Sequence, residues 1–246
     1  MRNVRDALHL TFLRQLLRTP EGRRHLLTQV ADAEHTGEAR VFDAMLDFTK
    51  DDEKLARTIA KHRDDEVRHE RLFRACAERQ GVPPREVPPE LGLMDALEAR
   101  VGFSERAIVD GRGVMDAYLV LQVLEERAVA QFDLFIDAFR EMDPETARVF
   151  EEVARDEARH LRYCHAIARR YAPDDATRAA RLAELRAIEA DITHANQIAN
   201  LRYILAEGYV DGAARRLALR VLGEIASRVS GPPFTPIARA ERSLAA

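Results

Sequence analysis

The sequence of 246 residues predicts an all-α protein: a four-helix bundle of two helical hairpins with a long crossover, plus an N-terminal helix and C-terminal helices. Three observations predict it. Apolar residues recur at three- and four-residue spacing, whereas alternating strand patterns are almost absent. Glycine (11) and proline (10) are scarce, which favours few, long elements. The chain also matches itself at a shift of 91 residues, as a duplicated hairpin would.

The elements follow in order. A first helix runs from Asn3 to about Arg18 and is stopped by Thr19-Pro20. Gly22 to Thr49 reads as one long helix with Leu27, Val30, Val41, Ala44 and Phe48 on its inner stripe. Asp51 and Asp52 suit the cap of the next helix, which carries Leu55, Ile59, Phe73 and Cys76 inward as far as about Gln80. Gly81-Val82-Pro83-Pro84 ends it, and residues 81–113 are irregular around a short helix near Met94 to Val101. Gly113 to Met142 is a third long helix, its stripe being Tyr118, Leu121, Ala128, Phe132, Phe135 and Phe139. Asp143-Pro144 starts a fourth, with Phe150, Val153, Cys164, Ile167 and Tyr171 inward. Residues 174–207 and 211–229 read as two more helices, and 230–246 as a loose tail. The whole of 1–246 is expected to be one domain, with the bundle in 22–172 and a helical extension in 174–229. A crossover of some thirty residues lets the third long helix run back to the far end of the bundle.

Composition excludes several functions. Net charge is −4, so no broad basic surface for nucleic acid or anionic lipid is expected. Arginine outnumbers lysine 35 to 3, but 42 acidic residues interleave with them, the pattern of solvated, salt-bridged helix faces. Two cysteines outside any CxxC pair exclude a disulfide scaffold and a zinc ribbon. Neither a signal peptide nor a membrane-spanning stretch is visible, so the expected compartment is the cytoplasm.

The repeat carries polar residues into the core stripe. Asp65-Glu66-Val67-Arg68-His69 and Asp156-Glu157-Ala158-Arg159-His160 both read D-E-x-R-H, and the same shift lays Glu34 on Glu125. Glu34 lies between Val30 and Val41, and Glu125 between Leu121 and Ala128. Glu66 and His69 lie between Ile59 and Phe73, and Glu157 and His160 between Val153 and Cys164. Four carboxylates and two imidazoles therefore point into one interior, where dry and unpaired they would be strongly unfavourable. Two divalent cations would neutralise four glutamates. A Glu and a His three residues apart, about 4.5 Å along the axis, can serve one metal region together. Mixed oxygen and nitrogen donors with open positions favour iron or manganese over closed tetrahedral zinc. Asp65 and Asp156 are placed to accept the His N–H of the facing motif, with Arg68 and Arg159 holding those aspartates. Glu38 competes with Glu34, and Glu126 with Glu125, for the first-helix donor of each half.

The constellation E…D-E-x-R-H, present twice within about residues 22–172, resembles the ferritin-like di-iron carboxylate superfamily. Its D-E-x-R-H form is similar to the oxygen-activating branch of multicomponent monooxygenases, acyl-carrier-protein desaturases and related oxidases. That resemblance implies Glu34, Glu66, His69, Glu125, Glu157 and His160 as metal ligands, two iron ions (or manganese, or one of each) as cofactor, and no catalytic group beyond the ligands. It implies an oxidoreductase that uses O₂ on a small organic substrate by hydroxylation, desaturation or N-oxygenation. With no flavin, nicotinamide or iron–sulfur motif in the chain, electrons would come from an external donor. The expected assembly is a monomer or homodimer. Ferroxidase and iron-storage function, or a manganese-catalase-type peroxide activity, is the alternative. Asp191 and His194 could add a third histidine, though a surface or capping role suits His194 better, and Cys164 could line the cavity. Residues 81–113 and 174–229 are expected to roof the site.

Overall fold

Residues 4–34, 40–85, 87–88 and 91–228 are described by the computed structural model, and among them all regular structure is helical. Nine helices are seen there: α1 (Val4–Leu16), α2 (Pro20–Ala33), α3 (Arg40–Phe48), α4 (Glu53–Glu78), α5 (Leu93–Val101), α6 (Gly111–Met142), α7 (Pro144–Tyr171), α8 (Asp175–Ala206) and α9 (Ala213–Arg228). The tail from 230 lies outside the described residues.

Caps set the helix starts. Asp52, Asp110, Asp143 and Asp174 each accept a backbone N–H three residues on, at 2.7 to 3.1 Å, which satisfies a donor the first turn leaves without a partner. Asp143 also ends α6, so it alone makes the turn into α7, with Pro144 at the first helical position. Thr19 caps α2 in the same way, followed by Pro20. Gly22 is obligatory there: a Cβ would sit 2.1 Å from the Leu16 carbonyl oxygen.

The α6–α7 hairpin is one half of the bundle, and α4 with α2 and α3 is the other; α4 meets α7 across the interior. α1 and α8 pack on α6, α9 packs on α8, and the crossover folds α5 against α8, where Asn196 Nδ2 donates to Leu91 O at 2.7 Å.

The first hairpin departs from expectation. Helix is described in two pieces, α2 and α3, where one helix over 22–49 is expected, and residues 35–39 between them lie outside the described set. The inner face of α3 is Val41, Phe42 and Met45, and Phe48 is 38% exposed, whereas its repeat counterpart Phe139 is fully buried. α3 starts where Val41 N donates to Ser104 O at 3.0 Å, which ties it to the crossover.

Two apolar clusters fill the bundle. One gathers Phe42, Ile59, Tyr118, Leu121, Cys164 and Ile167; the other gathers Leu27, Val30, Phe73, Phe132, Phe139, Phe150 and Val153. Along α4 the order is Ile59, then Glu66 and His69, then Phe73. Along α6 it is Leu121, Glu125, Phe132, and along α7 Val153, Glu157 and His160, Cys164. The polar residues thus form one layer between two dry ones. Phe150 centres the second cluster, with ring centroids 4.7 Å from Phe73 and 5.2 Å from Phe132. Among the described residues no helix is long and apolar enough to cross a membrane.

Candidate metal centre

The polar layer brings Glu34, Glu66, His69, Glu125, Glu157 and His160 together, each less than a tenth exposed. Glu34 ends α2, Glu66 and His69 come from α4, Glu125 from α6, and Glu157 and His160 from α7. His69 Nδ1 lies 3.3 Å from Glu34 Oε2 and 3.0 Å from Glu157 Oε1. His160 Nδ1 lies 3.0 Å from Glu66 Oε1, 3.2 Å from Glu157 Oε2 and 3.6 Å from Glu125 Oε1.

A seventh donor was not expected. His62, fully buried on α4, places Nε2 3.0 Å from Glu125 Oε1 and 3.5 Å from Glu66 Oε1. The signal was present in the sequence: Ile59, His62, Glu66, His69 and Phe73 follow one another at spacings of 3, 4, 3 and 4. The repeat hid it, because the position matching His62 is Val153. His194 is not in the cluster; it lines a neighbouring cavity.

The donors form two overlapping sets, His62, Glu66, Glu125, His160 and Glu66, His69, Glu157, His160, whose ligating atoms lie within 4.8 Å of one another. His69 Nδ1 and Glu157 Oε1 are 3.0 Å apart, yet neither makes a well-directed hydrogen bond. These buried groups can hold a metal ion, and the donor set fits an ion that accepts both imidazole and carboxylate.

Behind the donors the two halves cross over. Nε2 of His69, on α4, lies 3.3 Å from Asp156 Oδ2 on α7, and Nε2 of His160, on α7, lies 3.3 Å from Asp65 Oδ2 on α4. Each aspartate takes the outer ring N–H and so leaves Nδ1 to face the centre. Arg159 donates to Asp65 at 2.8 Å, and Arg68 pairs with Asp156. The His160 ring, with Lys61 and Arg159, holds Asp65 well below the usual carboxylate range against its partial burial.

Electrostatics show what the layer lacks. Burial, reinforced by the Glu157 charge, pushes Glu34 up to about 8, and burial with the Glu125 charge raises Glu157 to about 7. Burial acts the same way on Glu66, but the His160 ring across the interior and the His62 ring one turn back on α4 outweigh it and hold that carboxyl low. Burial should lower His69, yet the Glu157 and Glu34 carboxylates lift it to about 11. His160 and His62 are raised for the same reason. Without metal, protons on imidazoles and carboxyls supply the positive charge that four glutamates demand.

Glu126, the rival to Glu125, is buried but turned away. One residue further round α6, it accepts from Arg186 Nε and Nη2 of α8 at 2.8 and 2.6 Å and from Gln122 at 3.0 Å. It takes no part in the cluster. Glu38, the rival to Glu34, lies outside the described residues. Cys164 is buried one turn past His160, its thiol pushed up by burial and the nearby Glu125. Beside it the Tyr118 hydroxyl is buried without a hydrogen-bond partner.

A cavity of about 730 Å³ opens from the cluster, bounded by Glu34, Glu66 and Glu125 at one end. It runs between α2 and α6 beneath α1, α8 and α9, with Leu93 and Met94 of α5 at its side. The crossover and the C-terminal helices thus border it as expected, while the part played by α1 was not foreseen. No family model, curated protein or solved structure matches this chain.

Proposed function

We propose that the protein is a two-metal carboxylate oxidoreductase, most simply di-iron, that uses O₂ to oxidise a small organic substrate. The observation that carries this reading is a set of seven buried Glu and His donors, six of them in two overlapping groups and Glu34 beside His69, at the end of an apolar cavity. His62, Glu125, His160 and Glu66 would hold one ion, and Glu66, His160, His69, Glu157 and Glu34 border the position of the other. Bound there, two redox-active ions supply the electrons and open positions through which O₂ becomes an oxidant.

The chain's own residues do the rest. Asp65 and Asp156 hold the outer N–H of His160 and His69, which fixes the ring tautomer. The layers above and below, with Tyr118 and Leu121 on one side and Phe132 and Val153 on the other, keep bulk water from the centre. Glu34, Glu66 and Glu125 face both the cluster and the cavity, so a substrate lying in the cavity meets the centre there. Further electrons would come from an external donor.

The test is elemental analysis of the purified protein, then optical spectra of the anaerobically reduced form on mixing with O₂. About two iron ions per chain with a transient visible absorbance is the expected result. Iron accumulating well beyond two per chain would favour storage, and two manganese ions would favour peroxide chemistry. No metal after reconstitution would overturn the reading.

A further inference from the structure

The cavity has a definite chemistry along its length. Its inner end is carboxylate, its walls are apolar side chains such as Val30, Leu124 and Phe132, and Leu8 and Leu222 stand at its rim, 55% and 49% exposed. From Glu125 to Phe135 the α6 wall spans about 15 Å at the helical rise. Charge is nearly absent between the ends. Arg127 borders the cavity but is tied to Glu189 and Thr193 of α8, so the group is neutral as a whole. Burial pushes His9 and His25 down to about 4, so both are neutral at pH 7. On the lining, His25 Nε2, Asn200 Oδ1 and Arg127 Nε are buried with no hydrogen-bond partner, and of these Arg127 Nε, on a residue 9% exposed, is the one that can only donate.

We infer that this cavity binds an uncharged, elongated apolar molecule carrying one oxygen acceptor, which takes the Arg127 Nε–H while the apolar part extends along the wall formed by α2, α6 and α8. An anionic head group fits badly. The guanidinium already has its carboxylate, and the inner end adds three more, so a second anion would be desolvated with no free counter-charge. A compact polar molecule would leave the Leu, Val and Phe walls unfilled. The inference rests on the proposed oxidoreductase only in making this molecule the substrate; the binding itself needs no metal.

Primary alkanols are the probe, from 1-hexanol to 1-tetradecanol, displacing 1-aminoanthracene fluorescence from the full chain, with metal content measured on the same sample. Affinity should rise about fourfold per methylene, the factor that ~0.8 kcal/mol per buried CH₂ gives, and level off once the chain outgrows the wall. Octanoate should bind at least about tenfold more weakly than 1-octanol, the factor expected for an anion desolvated without a free partner. Arg127→Lys keeps the charge facing Glu189 but removes Nε, and should weaken every alkanol about tenfold without changing the slope. Ala128→Phe at the inner end and Leu201→Trp towards the rim should each abolish binding of the longer alkanols at native helicity. A flat chain-length series, or unchanged affinity in both filled variants, overturns the site. Octanoate binding as tightly as octanol overturns the neutral head group. If the alkanol series behaves as expected in protein that takes up no metal, the cavity assignment stands and the two-metal reading falls; metal uptake without alkanol binding overturns the cavity assignment alone.

Discussion

The rings of His62 and His160 stand 4.1 Å apart, centroid to centroid, on helices that face each other across the bundle, and both reach Glu125 Oε1. Two charged imidazoles at that separation repel, and the neighbouring carboxylates hold them there. As neutral ligands of one ion they would have no such conflict. His62→Phe keeps an aromatic ring in the stack and removes the donor. Bound metal should fall from about two to about one ion per chain by mass spectrometry, since a site short of one ligand loses much of its affinity. Full occupancy in this variant would remove His62 from the centre.

Glu66 belongs to both donor groups, and His69 is the one imidazole in its group besides the shared His160. Glu66→Ala with His69→Ala should therefore strip most metal from both positions. Far-ultraviolet circular dichroism should stay helical, because the apolar layers on either side are untouched. Undiminished metal in this double variant would sink the site assignment.

Metal binding should release protons. His69, lifted to about 11, is protonated at pH 7 in the metal-free protein and must lose that proton to ligate. Affinity should thus increase with pH, and a weakly buffered titration should show acid release on adding metal. Uptake without proton release would contradict the ring assignment.

The metal-free protein should be most heat-stable at mildly acidic pH, about 5 to 6. A histidine raised to about 11 contributes fully below its ordinary value of 6.5 and loses that contribution as pH climbs through 11. Glu34 and Glu157, raised to about 8 and 7, favour the protonated carboxyl and weaken the fold as pH rises from the ordinary 4.5. Asp65, held low, acts oppositely and is lost in acid. Thermal melts between pH 3 and 9 with and without metal check this. A metal-free melting temperature that rises steadily to pH 9 would refute it.

Glu125 and Glu126 are adjacent and both buried, yet one should matter to metal and the other to packing. Glu125→Gln should lose metal and Glu126→Gln should keep it. Arg186→Met strands Glu126 without its partner and should cost roughly 2 kcal/mol, below the usual range for a buried pair because Arg186 is 31% exposed. Urea melts and metal analysis of the three variants separate the roles.

Most of the helices, and the layer of six acids and histidines, could be read from spacing, because a stripe at 3.6-residue period shows which face is buried whatever covers it. Pairing by repeat was less safe. It found Glu34 opposite Glu125 but passed over His62, whose counterpart is Val153, and it paired Phe48 with Phe139 although α3 turns Phe42 and Met45 inward instead. The fate of Glu126 depended on Arg186, sixty positions away on α8, and no local pattern announces such a partner. The cavity is set by six helices and Glu66 of a seventh meeting at a distance, which is tertiary information.

The crossed aspartates have a consequence for assembly order. Neither hairpin can aim its own histidine: His69 waits for Asp156, and His160 for Asp65. A chain with only one hairpin in place offers misoriented rings to any passing ion. Metal capture should therefore lag behind helix formation during refolding and report that the two halves have met, so that the ion acts as a proofreader, locking correctly docked molecules and leaving half-built ones empty.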